Sequence, residues 1–401
     1  MKKVPLAIGI LLTLVLLFVP PLLKNYGIYL FSYWLVFVIA TMGLNLTIGY
    51  AGQKSLGHAA FFGIGAYTVA ILLKAGISFW IGLPLAMLIC FVVGLALGFP
   101  ALRVQTIYLA FSTLGFNTAL WLVMRNEEWL TGGTFGINNI ARPSLFGFEL
   151  TSNLSYYYFV LGVAVIMGAL LWKLLHSPWG KAFTALRDNP IRAESLGINI
   201  QAYTLLSFAI GAVYAGVAGA LFAPLVEFIE PAPFTVGASI MMYLMVVVGG
   251  AGYFWGPLLG SAVGVILPEW LRFAQGWYLF VFGTAVVLLM LWLPDGLLSI
   301  PDKLRAKRLS REASAARSAA AAPRRGRAGA IPTPAARPSD RTCMPTDLLL
   351  LLALIAINGV FAMSEIAVVS SRRARLVQMA DSGRAGARQA LTLASEPTRF
   401  L

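Results

Sequence analysis

The stretch that decides the fold runs Gly43-Leu44-Asn45-Leu46, then Gly49-Tyr50-Ala51-Gly52-Gln53-Lys54-Ser55-Leu56-Gly57-His58-Ala59-Ala60-Phe61-Phe62-Gly63-Ile64-Gly65-Ala66-Tyr67. Apolar runs lie on both sides of it, and polar and glycine residues interrupt them. In hydrocarbon a freed backbone amide has no water to bond, so such a break persists only against protein or a wet cavity. Discontinuous helices of this kind commonly line transport paths. The stretch therefore predicts a solute pathway inside a membrane.

The rest of the chain agrees. Of 401 residues, 59% are hydrophobic and 11% charged, where a soluble domain carries about 25% charged residues. The expected fold class is all-α, a polytopic transmembrane helical bundle of about ten spans with interrupted helices. Apolar runs long enough to cross a bilayer core of about 30 Å place candidate spans at 6–23, 28–48, 57–73, 77–99, 106–124, 155–175, 202–223, 236–250, 254–270 and 277–294. The first is read as a retained helix because Pro20-Pro21-Leu22-Leu23 offers no small-residue cleavage site. The eighth and ninth share the join Gly249-Gly250-Ala251-Gly252, and a single re-entrant element is the alternative there.

Charge supports separate eighth and ninth spans. With the N-terminus in the cytoplasm, Lys2, Lys3, Lys54, Arg103, Lys181, Arg187, Arg192 and a basic tail fall inside. Lys24, Lys74, Arg125, Arg142 and Arg272 fall outside, accompanied by Glu127, Glu128, Glu149, Glu227 and Glu230. That is the excess the positive-inside rule requires. Much of the net charge of +14 sits in residues 303–341. It follows the last apolar run and carries no basic-aromatic pattern, so no nucleic-acid partner is expected. The bilayer, including anionic lipid, is the expected partner of these charges.

Chemistry-bearing motifs are few. Gly52-Gln53-Lys54-Ser55 resembles a phosphate loop, but Gln53 stands where the second glycine belongs and no strand precedes it. Cys90 and Cys343, like His58 and His176, lack metal-ligand spacing. The chain is expected to be no enzyme and to bind no metal or cofactor. Asn45, Gln53, Ser55, His58, Ser112, Thr113 and Asn117 lie in or beside apolar spans. Buried polar groups cost free energy unless bonded, so each either braces helices or meets solute and water. Asn45, Gly49, Gly52, Ser55, Leu56 and Gly57 are the candidate pathway-lining residues. Gly249-Gly250-Ala251-Gly252 followed by Trp255-Gly256-Pro257 weakly echoes the first break, as duplication or simple glycine packing would both produce.

Two long loops stand out. Residues 125–153 form an outside loop containing Thr131-Gly132-Gly133-Thr134-Phe135-Gly136. Residues 176–200 form the main internal loop. A short helix is written into the latter, with Asn189 to cap it, Pro190 at its first position and Gly197 just past its end. Ile191 and Leu196 would form a small apolar contact ringed by charge, suited to docking another protein. A mere connector is the alternative.

The chain divides into 1–302, a transmembrane domain; 303–343, an Ala/Arg/Pro-rich linker expected to be disordered; and 344–401, where a new apolar run begins.

Several of these pieces, in order over about residues 1–300, resemble the membrane permease subunits of branched-chain amino-acid ABC importers, particularly the longer of their two permeases. They are Leu44-Asn45-Leu46 with Gly49 to Tyr67, Thr131-Gly132-Gly133 with Gly136, Ser177-Pro178-Trp179-Gly180, Ala193-Glu194-Ser195-Leu196-Gly197-Ile198-Asn199, and Val248-Gly249-Gly250-Ala251-Gly252 with Trp255-Gly256-Pro257. The resemblance implies an ABC-importer permease fold and a subunit of a heteromeric importer in a bacterial or archaeal plasma membrane. A second permease would complete the pathway. Two ATP-binding subunits would dock inside, using ATP and magnesium there, and a substrate-binding protein would deliver solute outside. The coupling loop would be Arg187, Asp188, Pro190, Arg192, Glu194, Leu196 and Gly197, with Ser195 where the general motif often has alanine. A related permease for urea or short amides, or a self-sufficient secondary transporter, are the alternatives.

Residues from Met344 resemble the start of the transmembrane module of the cyclin-M/CorC family, through Asn358-Gly359-Val360-Phe361-Ala362-Met363-Ser364-Glu365-Ile366-Ala367 and Glu396-Pro397-Thr398-Arg399-Phe400-Leu401. The remaining helices of that module are absent, and Met344 reads as an independent start. Two adjacent frames joined through residues 305–343 are the expectation, with a genuine fusion as the alternative.

Overall fold

The computed structural model describes residues 16–101, 106–145, 148–270, 283–284 and 296–299. These fall in one compact unit, Met1–Ala321. Most of the expected first span, all but two residues of the tenth, and the segments 303–343 and 344–401 lie outside the described residues.

Among the described residues eight main helices carry the bundle: α1 (Asn25–Asn45), α2 (His58–Lys74), α3 (Phe79–Ala101), α4 (Thr106–Asn126), α6 (Asn153–His176), α9 (Ile200–Val226), α10 (Val236–Gly249) and α11 (Gly256–Trp270). Three short ones complete the numbering: α5 (Glu128–Thr131), α7 (Pro178–Asp188) and α8 (Pro190–Ser195). Spans two to nine of the sequence reading thus each correspond to a helix. The eighth and ninth are two separate helices packed on each other. Among the described residues four segments, Asn25–Tyr50, Phe79–Phe99, Asn153–His176 and Ile200–Val226, are long and apolar enough to cross a membrane; His58–Lys74 and Val236–Gly249 are shorter apolar helices.

α9 is the centre, packed chiefly against α1, α2 and α3. Lipid tails are as apolar as leucine, so helices in a membrane associate through close packing and small residues. From Ala209 to Ala220 α9 is mostly alanine and glycine. A Cβ on Gly219 would overlap the Phe62 carbonyl of α2, so the two backbones touch there. Hydrogen bonds add to the packing: Tyr156 and Tyr214 hydroxyls donate to the Leu221 and Met167 carbonyls at 2.6 and 2.8 Å, tying α6 to α9. Phe62, Phe222 and Phe234 form a cluster of rings 5.1–6.1 Å apart.

The connections gather at two opposite ends. At one end lie 46–57, 176–199 and 250–255. At the other, the 125–153 loop is built up rather than open. It holds α5, a 3-10 turn at Gly133–Phe135, and strand β1 (Ile137–Asn138). It also holds β2 (Ser144–Leu145), paired with β3 (Phe148–Glu149). β1 pairs antiparallel with β4 (Phe228–Ile229), Ile137 opposite Ile229. Arg142 fastens this end, pairing with Glu227 at 2.9 Å and donating to the Thr151 carbonyl and Asn153 Oδ1 at 2.7 and 2.9 Å.

Candidate functional site

The first break is a change of helix type followed by a return into the bundle. After Asn45 the chain widens into a π-helical turn, Leu46–Tyr50, with Ala51 N–H donating to the Leu46 carbonyl at 3.0 Å and Gln53 N–H to Thr47 at 2.9 Å. Single π turns are rare and often sit at functional sites. Gly52 has φ +71°, a left-handed conformation that suits glycine. Residues 51–57 then run back along α1. His58, the first residue of α2, donates from Nε2 to the Ala40 carbonyl at 2.9 Å. Ala40 lies five residues before Asn45, so α2 begins about 7 Å inside the end of α1 at about 1.5 Å per residue, and deeper still relative to the π turn that follows.

A helix start so deep leaves N–H groups that water would otherwise satisfy. Other helices satisfy them. Leu56 N–H donates to Thr113 Oγ1 of α4 at 2.9 Å, and Ala59 N–H to Ser239 Oγ of α10 at 2.9 Å. Ser239 in turn donates to Asn117 Oδ1 at 3.3 Å, and Asn117 Nδ2 to the Phe234 carbonyl at 3.4 Å. Phe234 belongs to the 227–235 connection from the opposite end. Two segments entering from opposite ends therefore meet on the Thr113–Asn117 face of α4. Thr113, Asn117 and Ser239 are each completely buried.

The second break, 250–255, lies against the first. Asn45 clasps it: Nδ2 donates to the Tyr253 carbonyl at 3.0 Å and Oδ1 accepts from Gly252 N–H at 2.9 Å. A Cβ on Gly49 would overlap both Gly252 N and Asn45 Oδ1. The two echoing glycine segments are thus in direct contact. Arg187 closes the cluster from α7, its Nη1 donating to the Gly49 carbonyl at 2.7 Å.

The 176–199 segment is two helices. Ser177 caps α7 by accepting from Trp179 N–H at 3.2 Å, with Pro178 at the first position. Gly180, Ala182, Phe183 and Leu186 form its buried side. α8 forms as its residues dictate: Asn189 Oδ1 accepts from Arg192 N–H at 3.0 Å, Pro190 starts the helix, and Gly197 follows with φ +84°. Only Ala193 of α8 is buried; Ile191 and Leu196 are each 80% exposed.

The predicted site residues fall into two physical groups. Asn45, Gly49, Ser55 and Gly57 are buried, and Gly52 and Leu56 half-buried. Arg187, Asp188, Pro190, Arg192, Glu194, Leu196 and Gly197 are all exposed, although the Arg187 guanidinium turns inward. Ser239 and α7 are features the sequence reading did not single out. Ser239 has no local signal, whereas α7 was announced by Ser177-Pro178 and the apolar spacing to Leu186. Among the described residues no cluster of His, Cys, Asp and Glu could hold a metal ion.

Comparison with known proteins fits this arrangement. The family described as branched-chain amino acid transport system / permease component matches residues 27–291, and the cyclin M transmembrane N-terminal domain matches residues 349–401. The high-affinity branched-chain amino acid transport system permease protein LivM of Salmonella typhimurium is 34% identical over 288 residues, covering 66% of this chain and 68% of its own. A probable branched-chain amino acid transport permease protein LivM of Methanocaldococcus jannaschii is 24% identical over 319 residues, covering 67% and 91%. The autoinducer 2 import system permease protein LsrC of Escherichia coli is 26% identical over 295 residues, covering 69% and 81%. No solved structure matches the chain significantly. With an interrupted bundle and a family match that spans both breaks and the 176–199 segment, the chain belongs to the permease components of the branched-chain amino acid transport system family, membrane subunits of ABC transporters and not enzymes.

Proposed function

We propose that residues 1–302 form half of the translocation pathway of an ATP-driven importer for branched-chain amino acids. A second permease supplies the other half. Two ATPase subunits dock on α7 and α8 from the cytoplasm, and a binding protein delivers solute at the end that carries β1 and β4. The membrane is a bacterial or archaeal plasma membrane, with the N-terminus inside. The observation that carries this reading is α8, a capped helix exposing Ile191 and Leu196 at the end where both helix breaks lie. Such a helix has no use for two exposed apolar side chains in water, and a partner surface would cover them.

Alternating access follows from two states of the permease pair that ATP binding and hydrolysis favour differently. Asn45, Gly49, Gly52, Ser55, Leu56 and Gly57 shape the pathway. Identity of 34% to a relative named for branched-chain amino acids, against 26% to one named for autoinducer 2, supports the amino-acid class.

Reconstitution with the partner subunits tests the reading. Leucine uptake into proteoliposomes should require ATP and every subunit, isoleucine and valine should compete, and urea should not. A chain shortened to residue 302 should support the same uptake, because the segment 344–401 takes no part. Uphill uptake by this chain alone, or competition by urea but not by leucine, would replace this function with one of the alternatives.

A further inference from the structure

Arg187 sits in the last turn of α7, yet its side chain leaves the docking surface. The stem crosses Gly52, where an added Cβ would stand 3.0 Å from Arg187 Cγ and 3.2 Å from its Cα. Nη1 reaches the Gly49 carbonyl at 2.7 Å and lies 2.7 Å from where a Cβ on Gly252 would sit. Asp188 Oδ1 accepts from Nε and Nη2 at 3.1 Å each, which fixes the plane of the guanidinium. Gly52 and Gly252 both have positive φ, +71° and +84°, so a side chain at either position would be strained and would also displace the arginine. Behind them Asn45, rooted in α1, holds Gly252 and Tyr253.

We infer that Arg187 is the positioning residue that links the docking segment to both helix breaks. The guanidinium bonds the Gly49 carbonyl of the first break and packs against Gly252 of the second, so a displacement of α7 and α8 reaches the two breaks together. The inference rests on the reading that ATPase subunits dock on this segment. Arginine suits the task because its planar fork can hold Asp188 and a backbone carbonyl at once, and charge-assisted hydrogen bonds are strong. Lysine would bring the charge without the fork. Its role would therefore be coupling, distinct from the attachment that Ile191 and Leu196 provide.

The test uses the complete complex and compares R187A, R187K and G252A with the native chain. Three quantities are read: ATPase subunits co-purified, ATP hydrolysed, and labelled leucine taken up per ATP. R187A should retain its ATPase subunits and hydrolyse ATP, while leucine uptake per ATP falls about tenfold, within the usual range of coupling between sites. R187K should recover part of the ratio, and G252A should lower it as R187A does. An unchanged ratio in R187A overturns the inference. So does loss of ATPase subunits in parallel with uptake, which would make Arg187 a docking contact and leave the proposed function standing. If R187A aggregates, native ratios in both R187K and G252A overturn it. Absence of ATP-driven leucine uptake by the native complex would overturn the functional reading first and this inference with it.

Discussion

Asn45 shows how a single polar side chain makes a helix break tolerable in a membrane. It satisfies one N–H and one carbonyl of the part-buried 250–253 turn. Asn45→Leu keeps a comparable bulk but removes both hydrogen bonds. Each should cost about 1–3 kcal/mol, seen as a lower unfolding temperature of the purified protein in detergent. An unchanged melting temperature would show that the turn finds other partners. Ser239→Ala removes the cap from Ala59 and should cost about 0.5–2 kcal/mol on the same measurement. The sequence marks Asn45 as exceptional, a polar residue beside glycines in an apolar span. It does not reveal whether Asn45 braces helices or meets solute, because its partners lie 207 and 208 positions away. Ser239 is silent for a related reason. Serine is ordinary in a membrane helix, and only the arrival of α2 against it gives it work.

At the scale of elements, what is local was legible and what is made by contact was not. α8 can be read from Asn189, Pro190 and Gly197 because capping and chain stiffness act within a few residues. Substituting Ile191 and Leu196 together by aspartate should sharply reduce co-purification of ATPase subunits. The unfolding temperature should stay the same, since both side chains are 80% exposed and support no core. A fall in that temperature would mean they pack within the chain. The α2–α9 contact behaves oppositely. Gly219→Val forces atoms into the Phe62 carbonyl, and overpacking of this kind typically costs about 1–3 kcal/mol, measurable by thermal unfolding with no need of partner subunits. The π turn at Leu46–Tyr50 left no readable mark in composition. In and beside it Thr47 and Asn45 reach distant neighbours: Thr47 Oγ1 donates to the Ser207 carbonyl at 3.3 Å as well as to that of Gly43 at 3.2 Å, and Asn45 bonds Gly252 and Tyr253.

For the molecule as a whole, hydropathy and charge placed the eight helices α1–α4, α6 and α9–α11 within three residues of their bounds. Burial in lipid imposes long apolar runs that no tertiary detail can disguise. Their division into two ends yields a direct prediction. In a background lacking Cys90 and Cys343, single cysteines at Lys54 and Glu194 should react with an impermeant thiol reagent from the cytoplasmic side, and cysteines at Glu128 and Phe135 from the other. Labelling of Lys54 and Glu128 positions from the same side would refute the arrangement. One further consequence concerns biosynthesis. The Ser239 hydroxyl that receives the Ala59 N–H is made 180 residues later, so on a ribosome delivering about 5–20 residues per second the nascent second helix waits many seconds for its roof. During that interval its leading end has to rest in the wet interior of the insertion machinery or against a foldase, and assembly of this subunit is paced by translation of its second half.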